Sequence, residues 1–391
     1  MPAPLTMSEF IALHEPEFLG NEQQYLNDCI ETGWVSTAGK YVEQFEEAIR
    51  KITGAKYAVA CTSGSAALHL ALTILKVDRE SEVIVPTITF VATINAVHYV
   101  GAHPVFMDCD PLGNIDVEKT IQFIRDETTF DGAFTRNNIT GRRVIAIIPV
   151  HIFGTAVWLD ELVPLCKERN IGVIEDAAES LGTRYRHGMY SGRHTGTVGD
   201  VGCLSFNGNK VITSGGGGMI LTDDATLASR TKYLSTQAKD DPVAFTHDEI
   251  GFNYRLSNLQ AAVGLAQVER LPSILSYKRN VHEIYSKLLR NCTVGKLEEE
   301  PTYSESNHWL NRFSLNAATS RSIGDVIRQA EKGRIEMRPV WKPNHLQKPN
   351  KGAQQYRIER APAFVQRTLC LPSSAMLNNK DVQRVVDCIN G

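Results

Sequence analysis

One lysine of the sequence stands in surroundings that favour covalent chemistry. Lys210 follows the apolar run VGCLSF, residues 201–206, and its neighbours are Gly and Asn rather than charged residues. A lysine amine that is removed from water has a lowered pKa and can form a Schiff base with an aldehyde. Solvent exposure is the ordinary alternative for any lysine. However, four consecutive glycines at 215–218 indicate that the backbone closely approaches another group here.

A carboxylate closes a second apolar run. Residues 171–176, IGVIED, end at Asp176. A buried carboxylate needs a cationic partner, because burial alone favours its protonated form. The nitrogen of a pyridinium ring would be such a partner, and a simple cap at the strand end is the alternative that the residues leave open.

Small hydroxyl residues precede a predicted helix that runs to about Leu75. They stand in CTSGSAAL, residues 61–68, which includes Gly64 and Ser65. The first turn of a helix leaves free N–H groups and a partial positive charge, which together suit a phosphate. The alternative is an ordinary helix cap.

Two further segments complete a possible site. The polar loop GFNYRLSNLQ, residues 251–260, leads into a helix that Ser257 could cap, and Phe90 follows a predicted strand. A phosphate cup, a carboxylate for a ring nitrogen, a Schiff-base lysine and an aromatic cover are what pyridoxal phosphate requires. Each element is weak alone, whereas the combination in this order is specific.

The elements that must position these residues alternate between strand and helix. Short apolar, β-branched runs separated by helical stretches predict a mainly parallel sheet covered on both faces. They occupy residues 82–86, 103–108, 143–151, 171–176, 201–206 and 217–222. Such strands present functional residues at their carboxyl ends.

The flanking regions have a different pattern. Helix, loop and helix are predicted over residues 22–52, and after about residue 235 the alternation stops. A helix (257–291), strands near 309–317 and 334–340, and a terminal helix from about 380 are predicted there. We therefore expect a large α/β domain, 1–245, and a smaller α+β domain, 246–391.

Composition excludes several classes of protein. The 391 residues allow about two to three structural units, and 41 Lys and Arg nearly balance 44 Asp and Glu, for a net charge of −3. Such a balance argues against a nucleic-acid or membrane-surface partner. The eight cysteines have no metal-site or disulfide spacing, and no apolar run is long enough to span a membrane. We expect a cytoplasmic protein without a bound metal.

Six motifs carry a resemblance to a known family. They are SGSAALH (63–69), PTITFVATINAV (86–97), PVHIFG (149–154), EDAAESLG (175–182), SFNGNK (205–210) and GFNYRLSNLQAA (251–262). With these motifs the chain resembles the DegT-type sugar-nucleotide aminotransferases, from about Leu13 to beyond His345. That family has the aspartate aminotransferase fold, fold type I, and uses pyridoxal 5′-phosphate.

The resemblance assigns roles to individual residues. It implies that Lys210 links covalently to the cofactor, that Asp176 pairs with its ring nitrogen, and that Phe90 lies against the ring. Phosphate binding falls to Gly64, Ser65 and Ser205. Asn253 is implied to reach the phosphate of a neighbouring subunit, so a homodimer with shared sites is expected. Glu179 falls near the cofactor, and Asn207, Arg338 and His345 fall near the substrate.

A narrower resemblance concerns the substrate. The segment LHEPEFLGNE near the start, SFNGNK, and the region 124–142 are similar to the subgroup that acts on UDP-linked 4-keto-6-deoxy-N-acetylhexosamines. This resemblance implies that glutamate donates an amino group to the keto carbon, in pathways such as those to legionaminic acid or bacillosamine. The residue that binds the donor carboxylate stays open, with Arg255, Arg338 and other residues equally suitable.

Other functions fit less well. A PLP-dependent sugar dehydratase would carry His in place of Lys210, and a regulatory homologue would be expected to lose Lys210 or Asp176. A dinucleotide-dependent dehydrogenase or epimerase needs GxGxxG after an early strand, and that motif is absent. The pair Asp108 and Asp110 is an alternative candidate for a metal site, as in a glycosyltransferase, but Asp108 simply ends a predicted strand.

Overall fold

The structure is a computed structural model that describes residues 10–241 and 243–391. Its helices are α1 (Glu22–Thr32), α2 (Lys40–Thr53), α3 (Gly64–Ile74), α4 (Val91–Tyr99), α5 (Val117–Asp126), α6 (Leu162–Glu168), α7 (Ala225–Ser235), α8 (Asn258–Leu289), α9 (Ile323–Lys332), α10 (Ala361–Arg367) and α11 (Asn379–Asn390). Its strands are β1 (Tyr57–Cys61), β2 (Ser81–Pro86), β3 (His103–Met107), β4 (Thr128–Phe130), β5 (Thr135–Asn137), β6 (Arg143–Ile147), β7 (Gly172–Asp176), β8 (Arg184–Tyr185), β9 (Val201–Ser205), β10 (Gly218–Thr222), β11 (Gly295–Leu297), β12 (Ser304–Glu305), β13 (Asn311–Leu315), β14 (Arg338–Pro339), β15 (Gln355–Tyr356) and β16 (Thr368–Leu371).

The large sheet confirms the predicted α/β architecture. Its strands run in the order β1-β10-β9-β7-β6-β2-β3-β15, and the pairs from β9 through β15 are parallel. Strand β10 is antiparallel to both of its neighbours, an exception that the apolar pattern does not reveal. All residues of β2 and β10 are buried, as expected for strands covered on both faces.

Helix α2 packs against both β1 of the large sheet and helix α8. Phe45 and Ile49 of α2 are fully buried, and the Phe45 ring lies 4.8 Å from the ring of Phe206. Gly264 of α8 lets that helix approach α2, because a Cβ there would lie 2.7 Å from Cζ of Phe45. The packing of α2 against α8 therefore depends on a residue without a side chain.

The carboxyl-terminal part forms a second layer. Strands β11, β13, β16 and β14 make an antiparallel sheet whose core includes Phe313, Leu369 and Val385. Several segments of the described chain join it to the large sheet and its helices. Ile11 bridges to Ile335, and β15 pairs with β3 of the large sheet. The division near residue 245 stays a prediction, since both ends of the chain cross between the two layers.

Some details differ from the sequence expectation. The predicted strand over 334–340 is reduced to β14, because residue 335 pairs instead with the amino-terminal segment. Strands β4 and β5 form a hairpin in the 124–142 region, where no strand is predicted. Among the described residues, no helix has both the length and the apolarity that crossing a membrane requires.

Asp108 holds the carboxyl-terminal segment against the large sheet. Its carboxylate accepts the backbone N–H groups of Glu359, Arg360 and Ala361, each at 2.9 Å, and the Lys119 amine at 2.8 Å. These four donors occupy the oxygens of a carboxylate that is fully buried. A structural role therefore accounts for this residue.

Candidate active site

A cavity of about 460 Å³ opens at the carboxyl ends of β7 and β9. It brings together most of the residues that the sequence analysis predicts for the site. The predicted residues that line it are Gly64, Ser65, Phe90, Asp176, Glu179, Ser205, Asn207, Lys210 and Arg338. Residues of the carboxyl-terminal part, among them Trp309 and Trp341, form the opposite wall. The sheet and the smaller layer thus enclose the site jointly.

The amine of Lys210 is held between a carboxylate and an aromatic ring. Its Nζ lies 3.6 Å from Oε1 of Glu179 and 4.2 Å from the centroid of the Trp309 ring. The indole N–H of Trp309 donates to the backbone oxygen of Asn209 at 2.7 Å, which fixes the ring beside the lysine. The Lys210 side chain is only 12% exposed. The amine is therefore largely shielded from water and held in one place, as a nucleophile or proton carrier needs to be.

Asp176 ends β7 and is buried. Its Oδ2 accepts the hydroxyl of Thr93 at 2.7 Å, and its Oδ1 accepts the amide of Ala178 at 3.1 Å. Burial raises the pKa of this carboxyl, and the two hydrogen bonds and the charge of Lys210 oppose that rise. A cationic N–H placed against Asp176 would stabilise the ionised carboxylate further.

Glu179 shares the floor of the cavity with Lys210. Its Oε2 accepts the backbone N–H of Phe153 at 2.7 Å. Burial raises the pKa of Glu179 to about 7, and the charge of Lys210 opposes this rise. The carboxyl group can therefore exchange a proton near neutral pH, next to the amine that the chemistry would use.

The start of α3 forms a cradle of backbone. The Ser63 hydroxyl accepts a hydrogen bond from the amide of Ala66 at 3.0 Å and so caps the helix. The amides of Gly64 and Ser65 also belong to the first turn, where backbone N–H groups have no carbonyl partner within the helix. A Cβ on Gly64 would lie 2.8 Å from Cβ of Ser205. The helix start is therefore packed directly on the end of β9, and Ser63, Ser65 and Ser205 all line the cavity. Such a helix end suits a phosphate.

Aromatic side chains build the upper walls. Phe90 stands just before α4, is 51% exposed, and has its ring 6.2 Å from the ring of Trp341. The Trp341 ring stacks on Phe153 at 4.7 Å with an interplanar angle of 8°. From the sequence no role is predicted for Trp309, Trp341 or Phe153, although Phe153 stands within the motif PVHIFG. No local pattern marks these residues, because their place depends on how the two layers meet.

An ion pair lies at the outer side of the cavity. Arg338 donates to Oε1 of Glu336 from Nε at 2.9 Å and from Nη2 at 2.6 Å. The other Glu336 oxygen accepts the amide of Leu13 at 3.1 Å. Asn207 lines the same cavity and is solvent-exposed. The described lining therefore includes two cationic side chains, those of Lys210 and Arg338.

Two predicted residues lie away from the cavity lining. His345 has its Nδ1 2.5 Å from Oγ1 of Thr87, behind the wall, and burial lowers its pKa. Asn253 is exposed and forms a bridge with Thr236. A contribution of Asn253 to a neighbouring subunit stays a prediction. Arg255, an alternative for the donor carboxylate, bridges to Cys61 and does not appear in the lining either.

These residues fit pyridoxal 5′-phosphate. At the start of α3, Gly64 and Ser65 have free first-turn amides that suit a phosphate, and Gly64 allows this turn to lie close against Ser205 at the cavity. Asp176 is a buried carboxylate ready for a cationic ring nitrogen, and Lys210 offers a shielded amine in the same cavity. The three groups match the phosphate, the ring nitrogen and the aldehyde of that cofactor.

Comparisons with known proteins agree with this geometry. The model of the DegT/DnrJ/EryC1/StrS aminotransferase family matches residues 17–390. The GDP-perosamine synthase of Caulobacter vibrioides is 35% identical over 384 residues, covering 97% of each chain. The UDP-N-acetyl-3-dehydro-alpha-D-glucosamine 3-aminotransferase of Acidithiobacillus ferrooxidans is 29% identical over 352 residues, covering 90% of this chain and 88% of its own.

A solved structure extends the agreement to three dimensions. DesI, solved in the presence of its TDP-sugar product, superposes with a TM-score of 0.87 at 25% identity, over 99% of this chain and 94% of its own. The family match covers nearly the whole chain, and the residues of the cavity fit the cofactor. The chain therefore belongs to the DegT/DnrJ/EryC1/StrS aminotransferase family and is a pyridoxal phosphate-dependent sugar aminotransferase.

Proposed function

We propose that this enzyme transfers an amino group from glutamate to C4 of a UDP-linked 4-keto-6-deoxy-N-acetylhexosamine, in the biosynthesis of a bacterial surface sugar. The observation that carries the transfer is the shared cavity of Lys210, Asp176 and Glu179. The choice of sugar rests on the motifs LHEPEFLGNE and SFNGNK. Another nucleotide-linked keto sugar is the alternative, because the names of the three relatives specify GDP, UDP and TDP.

Three residues of the cavity would have different roles in a transamination. Pyridoxal phosphate, when bound, supplies an aldehyde and a ring that accepts electrons. Lys210 Nζ takes a proton from the substrate carbon and returns one later, as a general base and then a general acid. Asp176 would hold the proton on the ring nitrogen, and Glu179 keeps the amine of Lys210 in place.

The donor needs a cation for its carboxylates. Among the described residues lining the cavity, Arg338 is the cationic side chain besides Lys210. Its guanidinium is bound to Glu336 in the present conformation and is 65% exposed. We favour Arg338 over Arg255 for this role, because a planar guanidinium at the cavity can bind a carboxylate through two hydrogen bonds.

The aromatic walls suit an uncharged sugar ring. Phe90, Trp309 and Trp341 present large apolar faces to the cavity, and the C–H face of a sugar packs well against such rings. A negatively charged sugar would be stabilised less by these apolar faces. The nucleotide would extend past Phe90, which is half exposed at the rim.

We further propose a homodimer in which Asn253 serves the site of the partner. An aromatic cluster with one exposed member supports it: the His69 ring lies 4.9 Å from the ring of Phe252 and 5.9 Å from that of Tyr99, which is 60% exposed. Exposed aromatic groups of this kind are typical of subunit contacts. Sedimentation equilibrium of the holoenzyme should give twice the mass of one chain.

A mixing experiment tests whether the sites are shared. The variants Lys210→Ala and Asn253→Asp should each be inactive as homodimers. A mixed dimer would contain one site with both native residues, so mixing and refolding the two should restore activity. No restoration, with mixed dimers present, would contradict the shared site.

The substrate is tested by direct turnover. Over repeated turnovers, the purified holoenzyme should convert glutamate to 2-oxoglutarate only when a nucleotide-linked 4-keto-6-deoxy sugar is present. UDP-, GDP- and TDP-linked 4-keto-6-deoxy sugars, with and without an N-acetyl group, are compared by kcat/KM. Preference for the UDP-linked N-acetyl sugar supports the proposal, and preference for a GDP-linked sugar without that group assigns the alternative.

A further inference from the structure

His14 lies in a segment whose backbone is fixed on both sides. The amide of Leu13 donates to Glu336 at 3.1 Å, and the carbonyl of Leu13 accepts the amide of Ser373 at 2.8 Å. The amide of Glu15 donates to the hydroxyl of Ser374 at 2.8 Å. These bonds anchor the amino-terminal segment to the carboxyl-terminal layer, so the imidazole of His14 has a defined position in the cavity wall.

The imidazole has an unused hydrogen-bonding atom. Nδ1 of His14 is buried and has no hydrogen-bond partner within the described part of the chain, and the residue lines the same cavity as Lys210. A buried polar atom that stays unpaired has a cost in stability. Nothing in the fold explains this cost. A ligand that fills the cavity would supply the missing partner.

The surroundings of His14 determine its charge. Burial and the nearby charges of Lys278 and Lys210 place its pKa well below the ordinary value. The ring is therefore neutral at physiological pH, with one nitrogen that donates and one that accepts. A sugar hydroxyl both donates and accepts, so it satisfies Nδ1 in either tautomer. A carboxylate only accepts, and it would favour a protonated ring, which burial opposes.

We infer that His14 is a substrate-binding residue whose Nδ1 hydrogen-bonds a hydroxyl group on the ring of the keto sugar. This inference rests on the proposed function, since it assigns a contact to the sugar and none to glutamate. His14 would then affect only one of the two half-reactions. It contributes when the sugar occupies the cavity and leaves the amino-acid half unaffected.

The test compares the two half-reactions in the holoenzyme. Variants His14→Ala and His14→Asn are set beside His187→Ala, which changes an exposed histidine away from the cavity. For His14→Ala, kcat/KM with the keto sugar should fall roughly 10- to 100-fold, as expected when a hydrogen bond to a substrate hydroxyl is lost. The half-reaction with glutamate should stay within about 2-fold of wild type. His14→Asn, which keeps a hydrogen-bonding group, should recover part of the loss.

Equilibrium binding gives a second readout. Calorimetry should show weaker binding of the nucleotide-linked sugar to His14→Ala by a similar factor, with unchanged binding of the free nucleoside diphosphate. Equal losses in both half-reactions would overturn the assignment, because His14 would then act through Lys210. Unchanged kinetics for both would overturn it as well.

Wild-type turnover and the His14→Ala result together distinguish a failure of the role of His14 from a failure of the proposed function. A wild-type enzyme that accepts glutamate and no keto sugar contradicts the proposed function and, with it, the role of His14. A wild-type enzyme that turns over a keto sugar, together with an unaffected His14→Ala, contradicts the role of His14 alone. Thermal unfolding and cofactor content identify any variant that misfolds. If His14→Ala misfolds, the half-reaction rates of His14→Asn test the role of His14 instead.

Discussion

Lys210 and Glu179 form a buried pair, with Nζ of the lysine 3.6 Å from Oε1 of the glutamate. Burial raises the pKa of Glu179 to about 7, although the lysine charge opposes this shift. The face of Trp309 lies 4.2 Å from the same amine. The lysine is therefore restrained by a carboxylate whose charge changes near neutral pH and by a neutral ring, which leaves its amine available for chemistry.

Replacing Lys210 should remove catalysis while leaving a folded protein. Lys210→Ala deletes the amine but none of the groups of the α3 cradle. We expect turnover to fall by several orders of magnitude, with noncovalent cofactor binding retained. Absorbance of the bound cofactor and steady-state assays measure the two effects. Lys56→Ala, at an exposed position, serves as the control. A changed cofactor spectrum with normal turnover would refute the role of Lys210.

Asp176→Asn should affect rate far more than affinity. The amide has nearly the same shape, so the fold is preserved, but it carries no charge to stabilise a cationic ring nitrogen. We expect kcat to fall by at least about 100-fold, the scale for loss of a buried electrostatic contact. Cofactor affinity should change much less. Asp223→Asn, at an exposed aspartate, is the matched control. Turnover close to wild type would argue against this assignment.

Thr93 should act through Asp176. Its hydroxyl donates to Oδ2 at 2.7 Å and lowers the pKa of the carboxyl against the effect of burial. Thr93→Val removes the donor and keeps the shape. We expect kcat to fall about 10-fold, equivalent to one hydrogen bond to a charged group. Thr93→Ser should restore most of it. Equal rates for Val and Ser would show that the hydroxyl has no part in the reaction.

Gly64→Ala should weaken cofactor binding. The new Cβ would lie 2.8 Å from Cβ of Ser205, so the start of α3 must shift away from the end of β9. Overpacking of this kind costs about 1–3 kcal/mol, and we expect the dissociation constant of pyridoxal phosphate to rise about 10-fold or more. Gly208→Ala is the control, since nothing lies within 4 Å of its Cβ. Fluorescence titration of the apoenzyme measures the dissociation constant for each variant. Equal affinities of Gly64→Ala and the wild type for pyridoxal phosphate would contradict the role of the α3 start in binding the cofactor.

Lys278 should make stability depend on pH. It is fully buried in α8, its Nζ donates to the carbonyls of Trp309 and Ser373, and burial lowers its pKa to about 7. Between pH 7 and the ordinary lysine value of about 10.4, the unfolded chain binds more protons. The contribution of Lys278 to the free energy of unfolding therefore rises with pH over this window, by at most about 1.4 kcal/mol per pH unit.

Denaturant unfolding at several pH values tests this dependence. Lys278→Met should show a flatter profile than wild type between pH 7 and 9, whereas Lys287→Met, at an exposed position of the same helix, should keep the wild-type slope. Parallel profiles for wild type and Lys278→Met would mean that Lys278 stays charged in the folded protein.

Much of the fold and of the cofactor end of the site could be predicted from the sequence. Continuous apolar runs specify buried parallel strands, because only strands covered on both faces can be apolar throughout. Their carboxyl ends locate Asp176 and Ser205, and the glycine run marks a close backbone approach, which the structure shows between Gly218 and Ser63. These signals are local, so a single sequence contains them. The antiparallel direction of β10 leaves no such local trace, because a buried strand has the same composition in either direction.

The substrate side depends on contacts between distant segments. Trp309 and Trp341 face the cavity only because the carboxyl-terminal layer folds back onto the sheet, and His14 reaches it because its segment is bound to Glu336 and Ser373. His345, expected near the substrate, lies behind the wall on Thr87. The sequence alone determined which residues are candidates for binding and activating the cofactor. Only the tertiary structure decided which side chains face the cavity, because that depends on packing between segments far apart in the sequence, such as Leu13 and Glu336, which are 323 residues apart.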